Sequence, residues 1–99
     1  MAYILLQIKT PPGEASKQGE LFSKGKLSKL PEFVKRRQSF VYFDDELMSF
    51  SIYEVPEDKL FEGIKAVNER CTSYFEVPGV RFKVHPLMEI RHAVSLISV

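Results

Sequence analysis

Between Ser39 and Phe75 the polar and apolar positions sort into strand, acidic turn, strand and helix. Ser39-Phe40-Val41-Tyr42-Phe43 is rich in aromatic and β-branched residues, which suit a pleated surface, and Asp44-Asp45-Glu46 interrupts it as a hairpin turn. In the returning run Met48, Phe50 and Ile52 alternate with Ser49, Ser51 and Tyr53. A two-residue period therefore sets one wholly apolar row against a core and leaves a polar row with one aromatic on the other side. Val55-Pro56 ends the strand, and Glu57 and Asp58 follow where acidic groups suit a helix N-terminus. Leu60, Phe61, Ile64, Val67, Cys71, Tyr74 and Phe75 then recur at three- and four-residue steps, predicting an amphipathic helix that Val77-Pro78-Gly79 stops.

The flanks extend this pattern. Tyr3 to Ile8 predicts a strand with Ile4, Leu6 and Ile8 in one row, closed by Thr10-Pro11-Pro12-Gly13. Glu14 to Leu30 predicts a weak, broken helix, because Gly19 and Gly25 interrupt a thin apolar set. Leu30 to Arg36 predicts a short helical turn with Pro31 at its first position. Val80, Phe82 and Val84 alternate with Arg81, Lys83 and His85 as a fourth strand that Pro86 closes, and Ile90, Ala93, Val94 and Ile97 have the spacing of a small amphipathic helix. The order is strand, helix, strand, strand, helix, strand, with a helical tail. It predicts one α+β domain over residues 1–99, a ferredoxin-like βαββαβ plait with a four-stranded antiparallel sheet and helices on one face. On this phasing the open face carries Tyr3, Leu5, Gln7, Phe40, Tyr42, Ser49, Ser51, Tyr53, Arg81, Lys83 and His85, a mixture that calls for a partner surface.

The pattern of the opening Met1 to Lys9, of Leu30-Pro31-Glu32-Phe33-Val34-Lys35-Arg36, of Ser51-Ile52-Tyr53-Glu54 and of Val77-Pro78-Gly79-Val80 resembles small bacterial and archaeal proteins of the dimeric α+β barrel superfamily. The resemblance implies a homodimer formed by two sheets and a pocket between each sheet and its own helices, which some members use for oxygenase, haem-degrading or isomerase chemistry. The chain has no tryptophan, and the Asn/Trp and Asn/Trp/His sets of the oxygenase types find no match in it. No catalytic residue is carried over, and the cofactor is left unknown.

Composition narrows the setting. The formal net charge is +1, so no whole-protein field selects nucleic acid or a membrane. The charge is divided unevenly, with eight Lys/Arg against three acids in residues 1–43 and six against ten in residues 44–99. Cys71, the single cysteine, sits on the apolar side of its helix, which fits a reducing compartment. Tyr3 to Ile8 is too short for a signal segment or membrane span, so a soluble cytoplasmic protein is expected.

The candidate chemistry is sparse. His85, at a strand end near Tyr53 and Arg81, has the titration range of a general acid or base, against a solvated or interface role. Glu54 follows the row of Phe50 and Ile52, where it is either a partly buried acid or a surface partner of Arg70 or Lys59. Tyr42 and Tyr53 offer phenolic hydrogen bonds to a small apolar ligand, with Arg81 as a charged neighbour, or else interface packing. His92 and Glu89 lack further ligands for a metal. Lys24, Lys26, Lys29, Lys35, Arg36 and Arg37 form a basic run without interleaved aromatics, which reads as a solvated face more than a phosphate track. Cys71 lacks an electropositive partner, and there is no phosphate loop or nucleophile elbow.

The leading expectation is a homodimer that binds a small, partly apolar molecule between sheet and helices, whether or not it is an enzyme. The rivals are single-stranded nucleic-acid binding through the open sheet face, and an assembly subunit without a ligand. Glu46 to Tyr53 lacks the basic residue and glycine with which the RNA-recognition strand begins, which makes nucleic acid the weaker partner.

Overall fold

The computed structural model describes residues 1–23 and 29–97, without the side chains of Ala15 and of residues 21–23. Strand β1 (Ala2–Thr10) leads through a 3-10 turn, Pro12–Glu14, to helix α1 (Ala15–Ser23). Strands β2 (Lys35–Phe43) and β3 (Leu47–Val55) form the acidic-tipped hairpin. Helix α2 (Leu60–Cys71) is extended at both ends by 3-10 turns, Glu57–Lys59 and Thr72–Glu76, and is followed by β4 (Arg81–Leu87) and α3 (Ile90–Ile97). The sheet order is β2-β3-β1-β4 with every neighbouring pair antiparallel, an α+β arrangement compatible with a ferredoxin-like plait.

Why the sheet faces as it does follows from β1. Ile4, Leu6, Ile8 and Thr10 are all buried, and opposed residues of an antiparallel pair share a face. Ile4 pairs with Tyr53, Leu6 with Ser51 and Ile8 with Ser49 on one side, and with Pro86, Val84 and Phe82 on the other. These residues face the helices, where Val55, Val67, Cys71, Tyr74 and Val77 complete the core. Helix α2 lies close to the sheet because Gly63 has no side chain: a Cβ there would stand 2.9 Å from Val55 Cγ1 and 3.1 Å from Ile4 Cδ1.

Four expectations are corrected. The β3 rows are exchanged: Met48, Phe50 and Ile52 point to the open face with Lys9, Gln7 and Leu5, and Ser49, Ser51 and Tyr53 point to the helices. The apolar row was assigned to the core on hydrophobicity alone, but the fully apolar row of β1 fixes the inner face, and β3 must follow its register. The open face is consequently more apolar than the sequence pattern suggests. Second, Leu30 to Arg36 is not helical; Val34 N donates to Pro31 O at 3.0 Å in a tight turn, and β2 has begun by Lys35. Third, Pro86 lies inside β4 instead of closing it, which an edge strand tolerates because one side needs no donors. Fourth, Lys29 and Leu30 are outside any helix; the expected helix is present over Ala15–Ser23, and its part over residues 24–28 lies outside the described residues. Helix α3 forms where its periodicity predicts, yet buries none of its residues, with Ile90, Val94 and Ile97 all exposed. Among the described residues, no helix is long and apolar enough to cross a membrane.

Candidate functional site

The exchange of rows in β3 creates the site. Ser39 of β2 opposes Ser51 of β3, and Val41 opposes Ser49, all on the helix side of the sheet. Serines in place of branched aliphatics leave space that the described residues of the helices do not fill. A cavity of about 250 Å³ results, walled by Leu6, Ile8, Val41 and Leu47 and reached by Gln18 of α1 and by Arg70, Cys71 and Tyr74 at the end of α2. This is at the small end of ligand-sized cavities, room for a single ring or a short aliphatic chain.

Its polar groups are held in place. The Ser39 and Ser51 hydroxyls are 3.0 Å apart and share a hydrogen bond. Gln18 accepts from the Thr10 hydroxyl, and both residues are buried, which ties α1 to the end of β1. Burial pushes the Tyr53 phenol up, reinforced by Cys71 and opposed by Arg70, Arg36 and a hydrogen bond to Ser51. Burial also pushes Tyr74 up to about 12 and the Cys71 thiol up to about 11, with Arg70 pulling each the other way. At neutral pH the two phenols and the thiol are therefore protonated. The phenols keep their O–H donors, and Cys71 is a buried hydrophobe, not a nucleophile. Among the described residues the charged side chains lining the cavity are Arg36 and Arg70, both of which also have partners within the chain, and no carboxylate lines it.

The structure separates the residues singled out by sequence. Tyr53 lines the cavity and is buried, on the face opposite to the one expected. Tyr42 is on the open face, stacked on Phe50 at a centroid separation of 5.7 Å, and does not line the cavity. Arg81 is on the open face as well, 3.2 Å from the Glu46 carboxylate. His85 pairs with Leu5 on that face and is exposed, so it is not brought to Tyr53. Glu54 pairs with Tyr3 on the open face and takes Arg37, at 3.0 Å, not Arg70 or Lys59. That carboxylate raises the Arg37 guanidinium, first by its hydrogen bond and then by its charge. The structure thus places Tyr53 on the opposite face from His85 and Glu54, and likewise from Tyr42 and Arg81. Of the basic run, Lys24 and Lys26 lie outside the described residues, Arg36 lines the cavity and Lys29, Lys35 and Arg37 are exposed. Among the described residues no three His, Cys, Asp or Glu side chains gather as a metal site.

Sequence reasoning gave no cavity role to Ser39, Ser49, Ser51 or Tyr74, and it named Arg36 only within the basic run and Arg70 only as a candidate partner of Glu54. The signal for the serines was present, because a hairpin tipped at Asp44-Asp45-Glu46 sets Ser39 opposite Ser51, and two hydroxyls opposed on one face mark a place where the core is thin. No family model matches this chain, and neither a curated protein nor a solved structure does.

Proposed function

We propose that the protein is a homodimeric, ferredoxin-like binder of a small, mostly apolar molecule held between its sheet and its helices. The observation that carries the reading is the serine-floored cavity, apolar on its walls and supplied at one end with phenol and guanidinium donors but no carboxylate. Such a lining favours a ligand with a ring or short chain and an accepting or anionic end, a monocarboxylic acid being the simplest case. The sheet's open face, on this reading, meets the same face of a second copy. The cavity then opens away from that interface, and each subunit holds its own ligand. A chemical step is not part of the proposal, since the protonated phenols and thiol are poor bases and nucleophiles.

The test is a thermal-shift and titration-calorimetry panel of aromatic and short aliphatic acids together with their neutral amides. Acids are expected to bind saturably and raise Tm, amides more weakly. Ser49→Leu, which fills the cavity from its floor, is expected to keep the fold and lose the response. Binding that survives Ser49→Leu, or a panel in which neither acids nor amides bind, overturns the reading.

A further inference from the structure

The outer edge of β2 shows a different feature, one that does not depend on the cavity or on the open face. Among the described residues β2 ends the sheet, with β3 as its one neighbour, and every residue of it is exposed. Phe40, Val41, Tyr42 and Phe43 are 57%, 55%, 48% and 80% exposed, on both faces of the strand. An edge this apolar is a template for another strand unless charges or proline blunt it. Here the charges stand only at the two ends, and with opposite sign. Lys35-Arg36-Arg37 opens the strand, Gln38 to Phe43 carries no charge, and Asp44-Asp45-Glu46 follows it.

A segment that is basic at one end and acidic at the other is complementary to itself when it runs antiparallel. We propose that β2 pairs edge to edge with β2 of a second copy, joining two sheets across a two-fold axis. Backbone groups that point outward alternate along an edge, so opposed residues must be of like phase and the axis passes at a residue. An axis at Phe40 sets Asp44 opposite Arg36, and an axis at Val41 sets Asp45 opposite Arg37. The irregularity between Arg36 and Gln38 shifts the basic end by one residue, and it stays within reach of the acids. Lys35, Asp44 and Asp45 have no ion-pair partner within the chain among the described residues, whereas Arg37 is shared with Glu54 and Arg36 also has a partner within its own chain. In between, an axis at Val41 sets Phe40 of each copy opposite Tyr42 of the other on one face, and on the opposite face Val41 meets Val41 with Phe43 across from Ser39. A parallel pairing of two β2 strands would set like charges together, which favours the antiparallel, two-fold arrangement of this edge.

The experiment is a charge exchange read by sedimentation velocity and light scattering over a hundredfold dilution. One variant, Lys35→Glu/Arg37→Glu, makes both ends acidic; the other, Asp44→Lys/Asp45→Lys, makes both basic. Each alone is expected to lose one association step, halving the mass of the wild type, and an equimolar mixture is expected to restore it. Far-UV circular dichroism of each variant establishes that the strand is still formed. A wild type that is monomeric, a mass unchanged in both folded variants, or a mixture that does not recover overturns the proposal. Pairing through the open face does not predict recovery on mixing, so that reading can fail or stand separately.

Discussion

At the scale of single residues, the cavity is defined as much by what burial does to its ionisable groups as by its shape. Cys71 is fully buried, and its thiol is raised from about 9 to about 11; Tyr74 is raised from 10 to about 12. Both groups are neutral when protonated, so the unfolded chain, with ordinary values, loses these protons first as pH rises. The stability they support is thus fully present below about pH 9 and is lost as pH climbs through 11 to 12. For the thiol alone the difference amounts to about 3 kcal/mol at most. Urea unfolding followed from pH 8 to pH 11 is expected to show a falling midpoint, and Cys71→Ala a lower starting stability with a shallower fall. An equal slope in the two proteins would show that Cys71 does not titrate in the unfolding reaction. The same burial predicts that a thiol reagent at pH 8 labels native Cys71 only through unfolding, so that the labelling rate rises with urea in step with the unfolded fraction.

Helix α2 and the hairpin show, at the scale of elements, why some structure was legible and some was not. The apolar recurrence from Leu60 to Phe75 gave the helix, because three- and four-residue spacing has no other reading, and the 3-10 continuation through Thr72–Glu76 keeps Tyr74 on the buried side. The approach of that helix to the sheet was not legible, since a glycine in a helical pattern reads as a weakness. Gly63 is instead the contact point, its missing Cβ taken up by Val55 and Ile4, both fully buried. Gly63→Ala is expected to lower stability by about 1–2 kcal/mol in chemical denaturation, overpacking against two immobile side chains outweighing the ~1 kcal/mol gain in helix propensity. An unchanged or raised midpoint would mean that the helix can lift off the sheet at little cost. The phase of β3 failed for a related reason. Alternation identified Met48, Phe50 and Ile52 as one row correctly, but a period of two does not say which row is inside when both faces are to be covered. Only the pairing of Ile4 with Tyr53 and Leu6 with Ser51 decides it, and that is a long-range fact. The candidate site followed the phase: Ser49, Ser51 and Tyr53 were assigned to the wrong face, while Arg36 and Arg70 carried no local mark of a place in the cavity.

For the whole molecule the consequence of the exchanged rows is an open sheet face with Leu5, Phe40, Tyr42, Met48, Phe50 and Ile52 across its middle. Ion pairs stand near opposite corners, Arg81 with Glu46 at one and Arg37 with Glu54 at the other. An apolar centre inside a charged rim is the make-up of a protein interface more than of a solvated surface. The face also carries Lys9, Arg81 and Lys83 along β1 and β4, which would suit a phosphate backbone, but the apolar rows of β3 and β2 are the larger feature. Phe50 is the side chain to change, since it sits mid-strand, is stacked on Tyr42 and points away from the helix-side core. Phe50→Glu places a carboxylate at the centre of that interface while leaving Ile4, Val55 and Val67 untouched. Light scattering is expected to show the loss of one association step, with the thermal response to ligands retained because the cavity is on the other side of the sheet. Combined with Asp44→Lys/Asp45→Lys, the same change should leave a monomer, as the face and the edge are then both blocked. If Phe50→Glu keeps the full mass, the open face is not where copies meet. A gel-shift titration with single-stranded RNA at low salt, lost in Lys83→Glu, would then assign the face to nucleic acid.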